Sequence, residues 1–550
     1  MKTSPRPATS GPSKAARPLR VWFLSREYRG IAGAGGVQDV TCDLAEALAR
    51  AGVRVTVVLP RYGFVPAADL GFRPLDLGFD IDMNYTHEER RERVAFHALR
   101  RRGVEIVLVE ADRFAEKHGV YAYTAEEEAA DPTHRRGAGH YDYFAMNVLH
   151  QKAALALAVA RGRAPEVFHC HDGHTATLPA LMRELEGFRV FFRRSAALVT
   201  LHNAGIGYHQ EIQDLPFARA NTGLPWRVIT GSLLNGAFDP FLAGAAYAPM
   251  NTVSENYARE LQETELDALT GWLGHALRDR GVRLEGITNG INPDAFDPRR
   301  HRRLGLAAPF DPATGDLAGK AACRRRLLAD LAAGRTGRAA AIGSLDTAAD
   351  VPLLTAVTRL SEQKGMDILA EALEDLLVEE PDFGVLILGA GERAVEERLA
   401  RLAERPEHAG RFLLLLGHDP ALALKVYAAG DFFLIPSRYE PCGLTDFMAQ
   451  LMGNLPVVHL TGGLVKVRDG FNGYGYAPNT PAALKAAVVR ALRDHRQRPQ
   501  VLDRMRRDAV RHIREHFTWE RVRGRYLDLY RQALRAVAGG SGPVRRRRRP

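Results

Sequence analysis

Glu440 stands in the run Ser437-Arg-Tyr-Glu-Pro-Cys-Gly-Leu-Thr445, directly after Asp431-Phe-Phe-Leu-Ile-Pro436. That apolar run has strand length and closes on proline, the pattern of a buried parallel strand. Glu440 would then sit at the strand's carboxyl end, where open α/β sheets bind their ligands. Pro441 suits the first turn of a following helix, a position that needs no N–H. The amides of Cys442, Gly443 and Leu444 would be left unpaired and able to face an anion. A carboxylate beside free amides could hold sugar hydroxyls next to a phosphate. A surface carboxylate capping a helix is the plainer alternative.

Three other clusters could serve such a site. Arg359-Leu-Ser-Glu-Gln-Lys364-Gly365 places two cations before a helix with Ile368, Leu369, Ala372, Leu373 and Leu376 on one face. Arginine offers a planar fork and lysine a point charge, so the pair could clamp a diphosphate; a solvated charged turn fits equally. Val167-Phe-His-Cys-His-Asp172 and Ala196-Ala-Leu-Val-Thr-Leu201 are strands that deliver Asp172, His202 and Asn203 to their carboxyl ends. His169, His171, Asp172 and His174 could suggest a metal, and alternation puts His169 and His171 on one strand face, but no Glu or second cluster completes a tetrahedral set, so no metal is expected. Tyr141 and Tyr143 could line a sugar site or simply pack.

The elements that must position these groups read as parallel-sheet units. Arg20-Val-Trp-Phe-Leu24 is a first strand, followed by a loop with Gly30, Gly33, Gly35 and Gly36. A helix with Val37, Val40, Leu44 and Leu48 on one face comes next, then the strand Val53 to Leu59. Glycines in such a turn let backbone approach a phosphate or sugar closely, although many parallel sheets use them only for packing. Residues 303–350 read as a junction and linker, with the second sheet beginning at Val351. Further strands include Val104–Val109, Phe383–Gly391 and Arg411–Gly417. Asp431–Pro436 completes this set.

A chain of 550 residues exceeds the roughly 250–300 that one core supports, so two domains are expected. No stretch approaches the about 20 apolar residues of a membrane span. Four separated cysteines (Cys42, Cys170, Cys323, Cys442) outline neither a disulfide framework nor a zinc site, which fits a reduced, cytoplasmic setting. The formal charge of +10 comes from two acid-free ends, residues 1–20 and 539–550, each carrying five cations. The 518 residues between them are formally neutral, so no specific nucleic-acid partner is expected. The tails, rich in Gly, Pro or Ser, read as disordered.

The nonapeptide resembles the Glu-Pro-Cys-Gly-Leu-Thr signature of bacterial glycogen synthases and plant starch synthases, and other motifs resemble that family in order. Glu27, Gly35, Gly36 and Asp39 align with its glutamate, Lys-Thr-Gly-Gly-Leu and Ala-Asp-Val, with Gly33 where the family has lysine. His171-Asp-Gly-His174-Thr175 resembles His-Asp-Trp-His-Ala, with Gly173 for the tryptophan. His202-Asn203, Thr252-Val-Ser254, Gly286 to Asn292, Arg359 to Gly365 and Thr461 to Leu464 also match. His418 stands where the family usually has a tyrosine beside the adenine.

The resemblance implies an α/β GT-B fold of two doubly wound, Rossmann-like domains facing across a cleft. It implies a basic tail 1–19, an acceptor-side domain 20–302, a donor-side domain 303–518, a helix 519–538 crossing back, and an Arg-rich tail 539–550. The implied reaction is retaining transfer of glucose from ADP-glucose to the non-reducing end of an α-1,4-glucan, without cofactor or metal. The implied catalytic set is His202, Arg359, Lys364 and Glu440. Donor phosphates would meet Gly35, Gly36, Arg359, Lys364, Cys442, Gly443, Leu444, Thr445, Gly462 and Gly463, and the base would meet His418. The sugar and acceptor pocket would hold Asp39, Asp172, Asn203 and Glu440. A different donor or acceptor, or a non-catalytic glucan-binding relative, is the alternative reading.

Overall fold

The computed structural model of the protein describes residues 17–346 and 351–539. The two basic tails fall almost wholly in residues 1–16 and 540–550, outside the described residues.

The first half contributes β1 (Arg20–Leu24), β2 (Arg54–Pro60), β3 (Arg73–Asp82), β4 (Arg91–Arg101), β5 (Val104–Glu110), β6 (Val167–His171) and β7 (Ala196–Leu201). A small hairpin, β8 (Leu233–Leu234) and β9 (Ala237–Phe238), is followed by β10 (Met250–Thr252) and β11 (Glu285–Gly286). Nine strands form one sheet in the order β11-β10-β7-β6-β1-β2-β5-β4-β3. All pairs are parallel except those made by β4, which runs antiparallel to β3 and β5. β6 and β7 are buried throughout, as expected of strands covered on both faces. The β3–β4 ribbon has no counterpart in the sequence pattern. Its strands are half exposed and charged, and a register shift between Pro74 and Gly78 breaks their alternation.

The second sheet has the order β12-β15-β14-β13-β16-β17-β18. Its strands are β12 (Ala340–Leu345), β13 (Leu353–Val357), β14 (Gly384–Gly389), β15 (Arg411–Leu416), β16 (Phe432–Ile435), β17 (Leu455–His459) and β18 (Tyr474–Tyr476). The sheet does not begin at Val351, as the sequence pattern predicts, but with β12, inside the segment that reads as a linker. β12 is an antiparallel edge strand on β15. Its Ala-Ala-Ile-Gly-Ser composition, mostly exposed, carries no strand pattern.

In each sheet the winding reverses beside the strand from which the others are laid down in both directions. That point lies between β1 and β6 in the first sheet and between β13 and β16 in the second. Ligands of open α/β sheets bind outside strand carboxyl ends at such a reversal. The two halves are therefore α/β units of the same doubly wound kind, each with one prepared opening.

Several contacts fix one half against the other. Ser254, N-cap of helix Glu255–Glu263, accepts from the Tyr257 amide and donates to the Pro441 carbonyl at 2.7 Å. Two residues on, Asn256 donates to the Gly462 carbonyl. The C-terminal helix Trp519–Ala538 lies on the first half, with Tyr530 Oη 2.8 Å from His169 Nδ1 and Arg525 donating to the Gly286 carbonyl.

Gly365 shows how tightly the second opening is built. It has φ +66°, and a Cβ there would stand 1.9 Å from the Pro436 carbonyl oxygen at the end of β16. Only glycine lets the loop after β13 pass this close to the loop after β16. Gly365→Ala is expected to lower unfolding stability by more than about 2 kcal/mol, combining a left-handed backbone with a backbone clash. Urea denaturation checks it; an unchanged midpoint and slope would show that the loops can separate freely.

Candidate active site

A cavity of about 1090 Å³ lies between the two openings. From the first half it is lined by Glu27, Gly35, Gly36, Asp172, His202 and Asn203, and from the second by Arg359, Lys364, His418, Glu440, Cys442, Gly443, Leu444 and Thr445. The residues predicted from sequence therefore converge, with three exceptions.

On the second half, Arg359 and Lys364 follow β13, and Glu440 follows β16. Lys364 Nζ lies 2.6 Å from Glu440 Oε2, which also accepts from Ser437 Oγ at 3.0 Å. Burial works to raise the Glu440 pKa, but the Lys364 ammonium and the Ser437 hydroxyl outweigh it and hold the carboxyl below the usual range. Arg359 reaches Tyr208 Oη at 3.5 Å across the cleft and is otherwise exposed.

The loop after Glu440 differs from the expected helix start. The helix begins at Thr445 and runs only to Leu451, so Pro441 lies four residues ahead of it rather than in its first turn. Gly443 takes φ +71°, which breaks helical continuation. The amides of Cys442, Gly443 and Leu444 donate to nothing among the described residues.

On the first half, Asp172 adopts φ +62° after β6 and accepts the amides of His202 (2.7 Å) and Asn203 (3.2 Å) on one carboxylate oxygen, Oδ1. Those bonds tie the end of β7 to the end of β6. Burial pushes the Asp172 carboxyl up to about 7, with the two amides partly opposing. His202 Nε2 is 2.8 Å from His171 Nδ1, and burial brings the His202 pKa down to about 3. The histidine run is thus a packed network. His169 bonds Tyr530 and Thr200, and its ring stacks on His171 at 4.3 Å. Among the described residues no group of three or more His, Cys, Asp or Glu could hold a metal ion. Gly173 passes so near residue 209 that a Cβ would lie 2.3 Å from the His209 carbonyl oxygen, which excludes any larger residue here.

Three predicted residues do not reach the cavity. Asp39 turns away: it pairs with Arg29 at 3.0 Å, together with Asp43 one turn on, while Val37 and Val40 take the cavity-facing side of the helix. The Gly462 amide is bound by the Glu260 carboxylate at 2.9 and 3.0 Å, and the Gly463 amide donates to the Glu440 carbonyl at 2.9 Å. Both amides are occupied in joining loops. Gly35 lines the cavity, yet its amide is held by Glu27 Oε2 at 2.8 Å. Tyr143 lines the cavity, whereas Tyr141 is 72% exposed and lies outside it against Lys117.

Arg26 and Tyr121 also line the cavity, although no sequence motif singles them out, and so does Asn289, which stands in the Gly286 to Asn292 motif but was not assigned to the site. Tyr121 Oη donates to Glu27 Oε1 at 2.5 Å, and the Arg26 guanidinium lies 5.4 Å from the Tyr121 ring centroid. Arg26 could have been found as the residue between β1 and Glu27, on the strand end that faces the opening. Tyr121 lies in irregular chain with no motif.

Comparison with known proteins follows the same division. Residues 20–278 match the family described as starch synthase catalytic domain, and residues 351–494 match glycosyl transferases group 1. Glycogen synthase from Anaeromyxobacter dehalogenans (strain 2CP-C) is 34% identical over 528 residues, covering 93% of this chain and 99% of that one. Glycogen synthase 2 from Geobacter sulfurreducens is 33% identical, covering 94% and 99%. The catalytic domain of starch synthase IV from Arabidopsis thaliana, solved with ADP and acarbose, superposes with a TM-score of 0.76 at 24% identity, covering 94% of this chain and all of that one. The protein is a glycosyltransferase of the two-domain GT-B fold. It belongs to the glycogen synthase and starch synthase family.

The raised pKa of Asp172 gives a test of the first opening. A carboxyl whose folded pKa is raised binds its proton more tightly in the native state, so its contribution to stability grows as pH falls from about 7 toward the unfolded value near 4. Asp172→Asn keeps an oxygen for both amides and removes the titration. The unfolding free energy of the wild type relative to this variant is expected to rise between pH 8 and pH 5, measured by denaturant titration. A pH-independent difference would refute the burial assigned to Asp172.

Proposed function

We propose that the protein transfers glucose, with retention, from ADP-glucose to the non-reducing end of an α-1,4-glucan. The observation that carries this reading is the convergence at one cavity of the Arg359 and Lys364 cations, the Glu440 carboxylate and three unpartnered amides, facing His202 and Asp172.

Breaking the bond to the diphosphate develops positive charge on the sugar ring and negative charge on the leaving oxygens. Arg359, Lys364 and the amides of Gly36, Cys442, Gly443 and Leu444 meet that negative charge. Donors fixed in advance around developing charge usually contribute more to rate enhancement than any other single effect. Glu440 accepts from glucose hydroxyls, and its pairing with Lys364 sets it beside the phosphate cation before substrate arrives. His202 borders the ring, Asn203 and Asp172 lie along the same edge, and His418 lies by the base. Thr445 closes the phosphate side. These side-chain cations and amides take the place of a metal, so turnover is expected to survive exhaustive chelation with EDTA; loss restored by a divalent ion would overturn that part.

A competition assay tests the donor. Labelled glucose from ADP-glucose is expected to enter glycogen faster than glucose from UDP-glucose. Preference for UDP-glucose would replace the donor, and transfer from neither would favour a glucan-binding relative without turnover. Glu440→Ala and Lys364→Ala are each expected to cut kcat by roughly 10²-fold or more while circular dichroism stays that of a folded chain. Near-wild-type kcat in either variant would remove that residue from the mechanism.

A further inference from the structure

Lys466 lies outside the cavity, buried beneath its second-half wall. Its ammonium donates to three carbonyls, those of Cys442, Gly443 (2.8 Å) and Gly463 (3.1 Å), and sits 3.1 Å from Asp446 Oδ1 and 4.6 Å from the Phe447 ring centroid. Three carbonyls drawn to one point is a costly arrangement for backbone, because their dipoles repel without the cation between them.

Peptide geometry carries this outward to the cavity. In a planar trans peptide the carbonyl of one residue and the N–H of the next point in opposite directions. With the Cys442 and Gly443 carbonyls turned down onto Lys466, the N–H groups of Gly443 and Leu444 are turned the other way. Both residues line the cavity, and neither amide has a partner among the described residues. Gly443 is left-handed (φ +71°) and Leu444 right-handed (φ −114°, ψ −25°), so two successive N–H groups form an anion-binding concavity of the nest kind. The Gly463 carbonyl adds the neighbouring loop, locking it to the same point.

We propose that Lys466 is a positioning residue for the transfer reaction: without touching substrate, it orients the Gly443 and Leu444 amides toward the leaving diphosphate. This rests on the proposed function, in which those amides meet the donor phosphates.

The test compares Lys466→Met with Lys364→Ala and the wild type by calorimetric titration with ADP, UDP and the corresponding nucleosides. Lys466→Met is expected to weaken the preferred nucleoside diphosphate roughly tenfold or more, the loss of two hydrogen bonds to a charged group, while leaving its nucleoside unchanged. The KM for glycogen is expected to hold as that for the donor rises. Diphosphate affinity unchanged in Lys466→Met but lost in Lys364→Ala would sink the role of Lys466 and spare the phosphate site. Affinity unchanged in both would sink the phosphate site itself. Equal loss for diphosphate and nucleoside would show a merely structural role. Should Lys466→Met not fold, Lys466→Arg is measured in the same way: a guanidinium spreads its donors over a plane instead of a single nitrogen, so the three carbonyls lose their common point, the same selective loss is expected, and wild-type affinity would overturn the proposal.

Discussion

The Lys364 ammonium and the Glu440 carboxylate meet at 2.6 Å on loops that leave neighbouring strands. Their side chains are only 19% and 12% exposed, so each carries a desolvation cost that the other must offset. A pair of this sort is weak as a source of stability but strict about geometry. It demands that β13 and β16 be adjacent and parallel, that Gly365 pass the Pro436 carbonyl without a side chain, and that Ser437 supply a second donor to Glu440. The rest of the second half is arranged to satisfy those demands.

Hydrogen bonding also explains how the halves are joined. Backbone groups of the loops around Glu440 are distributed between two tasks. Those of Pro441, Gly462 and Gly463 are engaged in contacts: the Pro441 and Gly462 carbonyls with Ser254 and Asn256, the Gly462 amide with Glu260, the Gly463 amide with the Glu440 carbonyl. Cys442, Gly443 and Leu444 keep their amides free at the cavity. Buried polar groups left unpaired are costly, so the free amides stand out as the exception.

That division marks what was legible in the sequence. Strands with continuous apolar runs, such as β6, β7, β14 and β16, announce themselves by composition, and the side chains at their carboxyl ends follow from parallel topology. Arg359, Lys364, Glu440, His202 and Asp172 are placed at strand ends in this way, while their roles come from the family resemblance. Backbone donors were not, because an amide's partner depends on tertiary contacts: Gly462 and Gly443 look alike in sequence, yet one amide is taken by Glu260 and the other is free. Asp39 failed for a related reason. Its motif position says which residue is present, but helix phase and the reach of Arg29 decide which way it points. β12 was hidden because an edge strand on an otherwise parallel sheet needs no apolar alternation to pair.

The histidines show how far geometry limits chemistry. His202 reaches the cavity with one ring nitrogen already committed, since Nε2 is 2.8 Å from His171 Nδ1. Of the two facing nitrogens one must be the donor and the other the acceptor, so the two rings cannot both be protonated on both nitrogens without breaking the bond. Burial acts in the same direction, bringing His202 down to about 3 and His171 well below its ordinary value. Near neutral pH, His202 is therefore a fixed, uncharged hydrogen-bonding ring rather than a proton carrier. Positive charge at this cavity comes instead from residues that carry it permanently, Arg26 on the first half and Arg359 and Lys364 on the second.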